Sequence, residues 1–329
     1  MNIAILGAGA WGTALAIAFS AQHRVRLWSH DSGLSAALRQ DGENRRYLPG
    51  HHLPESLSLA SDLATALAQT DLLVVATPIS GLRPTLQRLP PRDDIPVLWV
   101  CKGFERDTGL LPHQVAGECL TRRAGGVLAG PSFAEEVAAG KPTALSLAML
   151  ESEAALVTRL SYELHAPNLR IYANPDIVGV EAGGALKNVI AIAAGVCDGL
   201  RLGNNARAAL ITRGLAEIAR LGVLLGAQRG TFMGLSGIGD LLLTCAGDLS
   251  RNRQIGLALA AGRELPDILA TLGHVAEGVS TAHEAVKLAS SIGVEMPITQ
   301  AVSSILGGKI APSEALSDLL ARDPKEESG

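Results

Sequence analysis

Aromatic side chains are scarce, at 3% of the 329 residues. A core built without large rings has to be filled by Ala, Leu, Val and Ile, and small residues let helices approach closely. Cysteine is nearly absent as well. Cys101, Cys119, Cys197 and Cys245 show neither zinc-ligand nor CxxC spacing, so no metal site and no disulfide framework are expected. Scattered thiols without a secretory signal suit a reduced, cytoplasmic location. Neither sign of charge dominates. A net charge of −4 gives no indication of a nucleic-acid or membrane-surface partner. Ile3 to Gln22 lacks charge altogether, and apolar runs of that length occur in membrane spans and signal sequences. Three glycines break this one, no Lys or Arg precedes it, and its apolar residues divide into a strand and a helix. An integral membrane segment is therefore not expected.

What the run does contain is a turn of known use. The strand Ile3–Leu6 enters Gly7-Ala8-Gly9-Ala10-Trp11-Gly12, a G-x-G-x-x-G spacing, and a helical pattern leaves it from Thr13. With 36 glycines in 329 residues, roughly 0.4 such matches arise by chance. Spacing alone decides little; the strand before, the helix after and a second strand at Arg24–Trp28 point to a dinucleotide site. Gly7 permits the tight turn, Gly9 lets backbone approach a pyrophosphate, and Gly12 lets the helix pack on the strand. The helix N-terminus offers free N–H groups and a positive dipole end. The alternative is an ordinary strand-to-helix turn.

Strand and helix alternate through the first half of the chain. A polar loop is expected through Tyr47–Gly50. Leu72–Val75 and Pro96–Cys101 are short continuous apolar runs, as is Ala124–Ala129, and such runs suit parallel strands covered on both faces. Leu145–Leu150 reads as a further strand. The alternation predicts an α/β, Rossmann-like doubly wound domain over 1–180. Beyond about Pro175 the apolar period becomes helical, with Ile211, Leu215, Ile218, Leu221 and Leu225 on one face. An all-α domain is predicted for 181–329, its last residues, Arg322–Gly329, charged and frayed.

Several polar residues stand where chemistry is possible. Ala182–Gly195 is apolar nearly all round, so as a helix it should be buried, and Lys187 and Asn188 interrupt it. A buried ammonium has a depressed pKa and can exchange a proton near neutral pH; the competing possibility is a lysine that snorkels from a helix end. Asp240 precedes an apolar run. In isolation helix capping is the stronger reading, and a partnership with a buried lysine is the other. Ser250-Arg251-Asn252-Arg253 at a helix start suits a small phosphate dianion, or is a solvated basic turn. Lys102 and Ser132 follow two of the apolar strands and so share a sheet edge with the glycine turn.

These segments resemble the bacterial-type NAD(P)-dependent sn-glycerol-3-phosphate dehydrogenase family along nearly the whole chain. The likeness rests on GAGAWGTALA at 7–16, CKGFE at 101–105, AGPSFAEEVAAGKPTA at 129–144, EAGGALKNVIAIAAGVCDGL at 181–200, NNARAALITRGLAEIARLG at 204–222, TFMGLSGIGDLLLTC at 231–245, SRNRQIG at 250–256 and AEGVSTA at 276–282. It implies reversible reduction of dihydroxyacetone phosphate to sn-glycerol 3-phosphate for phospholipid synthesis, with NAD(H) or NADP(H) as cofactor. Lys187 is implied as proton donor and acceptor, supported by Asp240. Lys102, Gly130, Ser132, Ser250, Arg251 and Asn252 match substrate-holding positions. Gly7, Gly9, Ala10, Trp11, Gly12, His30, Lys102, Ala134, Arg251, Val275 and Glu277 match positions near the dinucleotide. Ala10 stands where many relatives have Ser, which removes one side-chain hydrogen bond. His30 stands about where a strict NAD enzyme carries its ribose-binding acid, with Asp31 one place later, so both cofactors are expected to be accepted. A phosphorylated triose is the expected partner, and a homodimer the candidate assembly. The competing functions are a hydroxyacid dehydrogenase, which needs a carboxylate anchor, and a non-catalytic dinucleotide sensor, which leaves Lys187 without a role.

Overall fold

A computed structural model describes residues 1–91, 95–120, 124–272 and 277–321. Val275 and the closing segment from Arg322 lie outside them. In the first half, β1 (Asn2–Leu6), α1 (Ala10–Phe19), β2 (Arg24–Trp28) and α2 (Ser32–Asp41) alternate as the apolar runs predict. A hairpin of β3 (Glu43–Asn44) and β4 (Leu48–His52) follows, then β5 (Leu57–Leu59) and α3 (Leu63–Leu67). The remainder is β6 (Leu72–Val75), α4 (Ile79–Gln87), β7 (Val97–Trp99), α5 (Pro112–Cys119) and β8 (Gly125–Ala129). It ends with α6 (Ala134–Ala138), β9 (Thr143–Met149), α7 (Ala154–Glu163) and β10 (Leu169–Asn174).

Eight described strands form one sheet in the order β10-β9-β8-β7-β6-β1-β2-β5. Ile3 pairs Val25 on one side and Leu72 on the other, both in parallel register. Ile3 and Ile5 join Leu72 and Val74 in the core on one face, while Ala4 and Leu6 join Leu73 and Val75 on the opposite face. Both faces are therefore covered, which is why these strands read as unbroken apolar runs. The chain leaves β1 toward β2 and later returns to its other side at β6. That reversal opens a crevice above the carboxyl ends of β1 and β6.

Three details differ from the sequence expectation. The Tyr47–Gly50 stretch is not a plain loop but part of the short antiparallel hairpin β3–β4; two- and five-residue strands are too short to show a period. β9 pairs antiparallel to β8, reversing the edge of the sheet. β10, an edge strand, alternates buried and exposed residues at Leu169, Arg170, Ile171 and Tyr172, a half-buried pattern rather than an apolar run.

The second half is helical: α8 (Ile177–Gly199), α9 (Gly203–Leu224), α10 (Asp240–Ala246), α11 (Arg251–Ala260), α12 (Leu265–Leu272), α13 (Glu277–Ser291), α14 (Pro297–Leu306) and α15 (Pro312–Leu320). α8 is the axis of this half. It is long and apolar enough to cross a membrane, yet 89% of its most apolar stretch is buried inside the protein. Glycine makes that burial possible: a Cβ on Gly256 of α11 would stand 2.0 Å from the Ile192 carbonyl oxygen of α8. The two backbones touch where bulkier residues would hold them apart.

Candidate active site

The glycine turn has the shape a pyrophosphate needs. Gly7 adopts φ +119°, and a Cβ there would lie 2.4 Å from the Ala76 carbonyl oxygen beyond β6. At Gly12 a Cβ would lie 2.0 Å from the Gly7 carbonyl oxygen, so α1 can close onto the strand only without one. Gly9 is the opposite case, with nothing within 4 Å of the same position. It serves as N-cap of α1, and no side chain caps the helix. Tight packing behind and open backbone in front, at an uncapped helix N-terminus, fit a dinucleotide phosphate. Ala10 and Trp11 form the first turn of α1. Ala134 opens α6 and packs with Ala14 and Leu48 beside that helix. His30 is exposed past β2, and Asp31 caps α2 through Leu34 N.

The chemistry-bearing residues gather where the carboxyl edge of the sheet meets α8. Lys187 lies mid-helix, not at an end, and is 6% exposed. The snorkelling alternative is thereby removed. Its Nζ donates to Asp240 Oδ1 and, at 2.9 Å, to Thr244 Oγ1. Asp240 is fully buried, and Lys102, arriving from β7, donates to its other oxygen at 2.9 Å. The carboxylate does not cap α10; Gly239 stands at that position. A wide π-type turn over Leu235–Gly239, non-helical at Gly237, aims Asp240 inward instead. The Lys102 side chain lies across α8 at Gly184, its Cγ, Cδ and Cε 3.6, 3.7 and 3.9 Å from where a Cβ there would stand.

Two ammonium groups thus share one carboxylate, and their environments separate them. Burial pulls Lys187 down to about 7, with the charge of Lys102 adding to the fall and Asp240 opposing it. Burial also opposes the charge on Lys102, but Asp240 outweighs it and holds that amine above its usual range. Glu277, at the start of α13, is raised by burial against the pull of Lys102 and Arg251. A lysine near neutrality beside a permanently charged one is a proton-exchanging group with a fixed cation as neighbour.

The helix start at 250–253 divides its labour. Ser250 is the N-cap of α11 and accepts from Arg253 N at 3.3 Å. Arg253 grips Asp198 and Asp248 at 2.8 and 3.0 Å, which is a structural task. Arg251 is exposed. Asn252 Nδ2 donates to Asn188 Oδ1 at 2.9 Å, joining this segment to α8 next to Lys187. Ser132 Oγ donates to the Gly130 carbonyl at 3.0 Å, and Pro131 between them packs against Gly239. So Lys102, Lys187 and Asp240 meet directly, with Glu277 near Lys102. Asn252 is joined to α8 through Asn188 and Pro131 is near Gly239, while His30 is exposed past the end of β2. Asn252 Oδ1 and Thr281 Oγ1 are buried with no hydrogen-bond partner among the described residues. Orphaned polar atoms of that kind suit a bound polar ligand.

Thr244 and Thr281 were not legible as site residues in the sequence. For Thr244 a signal existed: it follows Asp240 by four, so both face α8 from one side of α10. Among the described residues no group of three or more His, Cys, Asp or Glu could hold a metal ion.

Comparison with known proteins fits this geometry. Residues 2–155 match the family model described as NAD-dependent glycerol-3-phosphate dehydrogenase N-terminus, and 176–317 match the corresponding C-terminus. The chain is 60% identical over 329 residues to a glycerol-3-phosphate dehydrogenase [NAD(P)+] of Dechloromonas aromatica, covering 99% of both chains. It is 56% identical over 330 residues to that of Nitrosomonas eutropha, covering 100% of each. The crystal structure of glycerol-3-phosphate dehydrogenase from Coxiella burnetii superposes with a TM-score of 0.93 at 40% identity, over 98% of this chain and 99% of that one.

Proposed function

The chain belongs to the NAD(P)-dependent glycerol-3-phosphate dehydrogenase family, and on that premise we propose how its residues carry the reaction. It is an oxidoreductase acting on a CH–OH group with NAD(H) or NADP(H). The observation that carries the assignment of roles is the buried Lys187–Asp240–Lys102 cluster at the sheet's carboxyl edge. Gly7, Gly9 and Gly12 at the uncapped start of α1 would hold the pyrophosphate of a nicotinamide dinucleotide, which in its reduced form would supply hydride to the carbonyl carbon of dihydroxyacetone phosphate. Lys187 Nζ gives its proton to the oxygen of that carbonyl as negative charge develops there. Asp240 and Thr244 hold the amine in place, and Lys102 adds a cation that stabilises the alkoxide in a water-poor setting. Ser250, Arg251 and Asn252 hold the phosphate at the start of α11, with Gly130 and Ser132 completing the pocket. Oxidation of sn-glycerol 3-phosphate runs the same proton backward, with neutral Lys187 as acceptor.

The division between domains falls at residue 180. Ile177 and Val180 pack with the sheet, whereas Ala182 through Val196 pack in the helical core. Free cysteines support a cytoplasmic enzyme, and membership of the family supports a role in supplying phospholipid synthesis. Light scattering of the purified chain tests the homodimer.

Lys187→Ala is expected to lower kcat for dihydroxyacetone phosphate by about 10²–10⁴ while leaving NADH binding, followed by fluorescence, within about twofold of wild type. Near-normal turnover by that variant would falsify the proton-transfer role.

A further inference from the structure

The β3–β4 hairpin takes no part in the chemistry above, yet it is fastened to the dinucleotide turn. Asn44, fully buried, donates from Nδ2 to the Ala8 carbonyl at 2.9 Å and to Thr13 Oγ1 at 2.7 Å. Two residues on, Arg46 reaches to the end of β2, where its Nη1 lies 3.3 Å from Asp31 Oδ2. Its guanidinium also covers the Tyr47 ring, 5.0 Å from the centroid. Other arginines in the region are engaged elsewhere. Arg26 donates to the Ala68 carbonyl, Arg39 to the Leu59 and Ala60 carbonyls, and Arg45 faces Asp41 and Glu43.

The end of β2 is where this fold distinguishes a ribose hydroxyl, held by an acid, from a 2′-phosphate, held by an arginine. Here both groups are present and paired to each other. The pair is open to solvent, with side chains 59% and 39% exposed, and an ion pair of that kind is weak enough to exchange for a ligand. Asp31 keeps its place without Arg46, because its Oδ1 accepts from Leu34 N at 3.0 Å.

We propose that Arg46, carried by the hairpin, is the residue that selects between cofactors. It leaves Asp31 to grip the 2′-phosphate of NADPH; with NADH it stays on the protein side while Asp31 Oδ2 accepts from the ribose hydroxyl. The inference rests on the glycine turn holding a dinucleotide.

The test uses the full chain, with kcat/KM for NADH and NADPH and calorimetric binding of 2′,5′-ADP and 5′-ADP. Arg46→Ala is expected to lower the NADPH-to-NADH ratio by about tenfold or more and to weaken 2′,5′-ADP by a similar factor, against less than about threefold for 5′-ADP. Arg46→Lys, which keeps the charge but not the fork, should recover part of the ratio. Asp31→Asn retains the cap acceptor and should move the ratio toward NADPH. An unchanged ratio in Arg46→Ala, or equal losses for both cofactors, overturns the proposal. Should the unaltered chain bind neither 2′,5′-ADP nor 5′-ADP, the dinucleotide site itself fails, and the selector with it.

Discussion

The role proposed for Lys187 rests on one carboxylate being unable to satisfy two ammonium groups fully. Asp240 keeps Lys102 charged, and burial leaves Lys187 poised at about 7. The pH dependence follows with a definite sign. With Lys187 in that role, carbonyl reduction needs the protonated amine, so its rate is expected to fall about tenfold per pH unit above about 7. Glycerol 3-phosphate oxidation needs the neutral amine and is expected to rise with pH below about 7 and level off above it. Asp240→Asn removes the attraction and leaves the repulsion from Lys102. The fall in reduction rate should then move to more acid pH, and pH–rate profiles of both enzymes check it. An unshifted profile would separate Asp240 from the titration of Lys187. The sequence alone left this residue undecided between cap and partner, since both fit an Asp ahead of an apolar run. Only the turn at Leu235–Gly239 chooses.

At the level of the element, α11 separates two arginines that look equivalent in Ser250-Arg251-Asn252-Arg253. Arg253 is locked between Asp198 and Asp248, whereas Arg251 is exposed at the first turn. Arg251→Ala is expected to raise KM for dihydroxyacetone phosphate by about tenfold or more, with little change in Tm. Arg253→Ala should instead lower stability by about 1–3 kcal/mol, seen as a lower urea midpoint. The reverse pattern would assign the phosphate clamp to the wrong arginine. The β1–turn–α1 unit was legible because each local signal agreed: apolar strand, glycine spacing, helical period. The β3–β4 hairpin was not, because it is held by the buried Asn44 amide rather than by a periodic apolar face.

Across the whole molecule, the proposed chemistry depends on the register between the sheet and α8. Glu181, buried on α8, accepts from Trp99 Nε1 at 2.7 Å and from His113 Nδ1 at 2.6 Å. Trp99 is three residues before Lys102, and Glu181 six before Lys187, so this contact helps to set the distance between the two lysines. Glu181→Ala leaves buried donors without an acceptor and is expected to cost about 1–3 kcal/mol. It should also lower kcat more than it raises the cofactor KM; a stability loss with kcat intact would reduce Glu181 to a packing role. The sequence by itself determined the architecture: apolar runs bounded by glycines make covered parallel strands, a helical period makes the second half, and Ala and Gly in place of aromatics let backbones touch. Tertiary structure alone decided which polar residues meet. Lys102, Lys187 and Asp240 are separated by 85 and 53 positions in the chain, and no local pattern encodes a contact at that range. The protonation of the two lysines was decided there too, because the cost of burying a charge depends on what surrounds it in three dimensions.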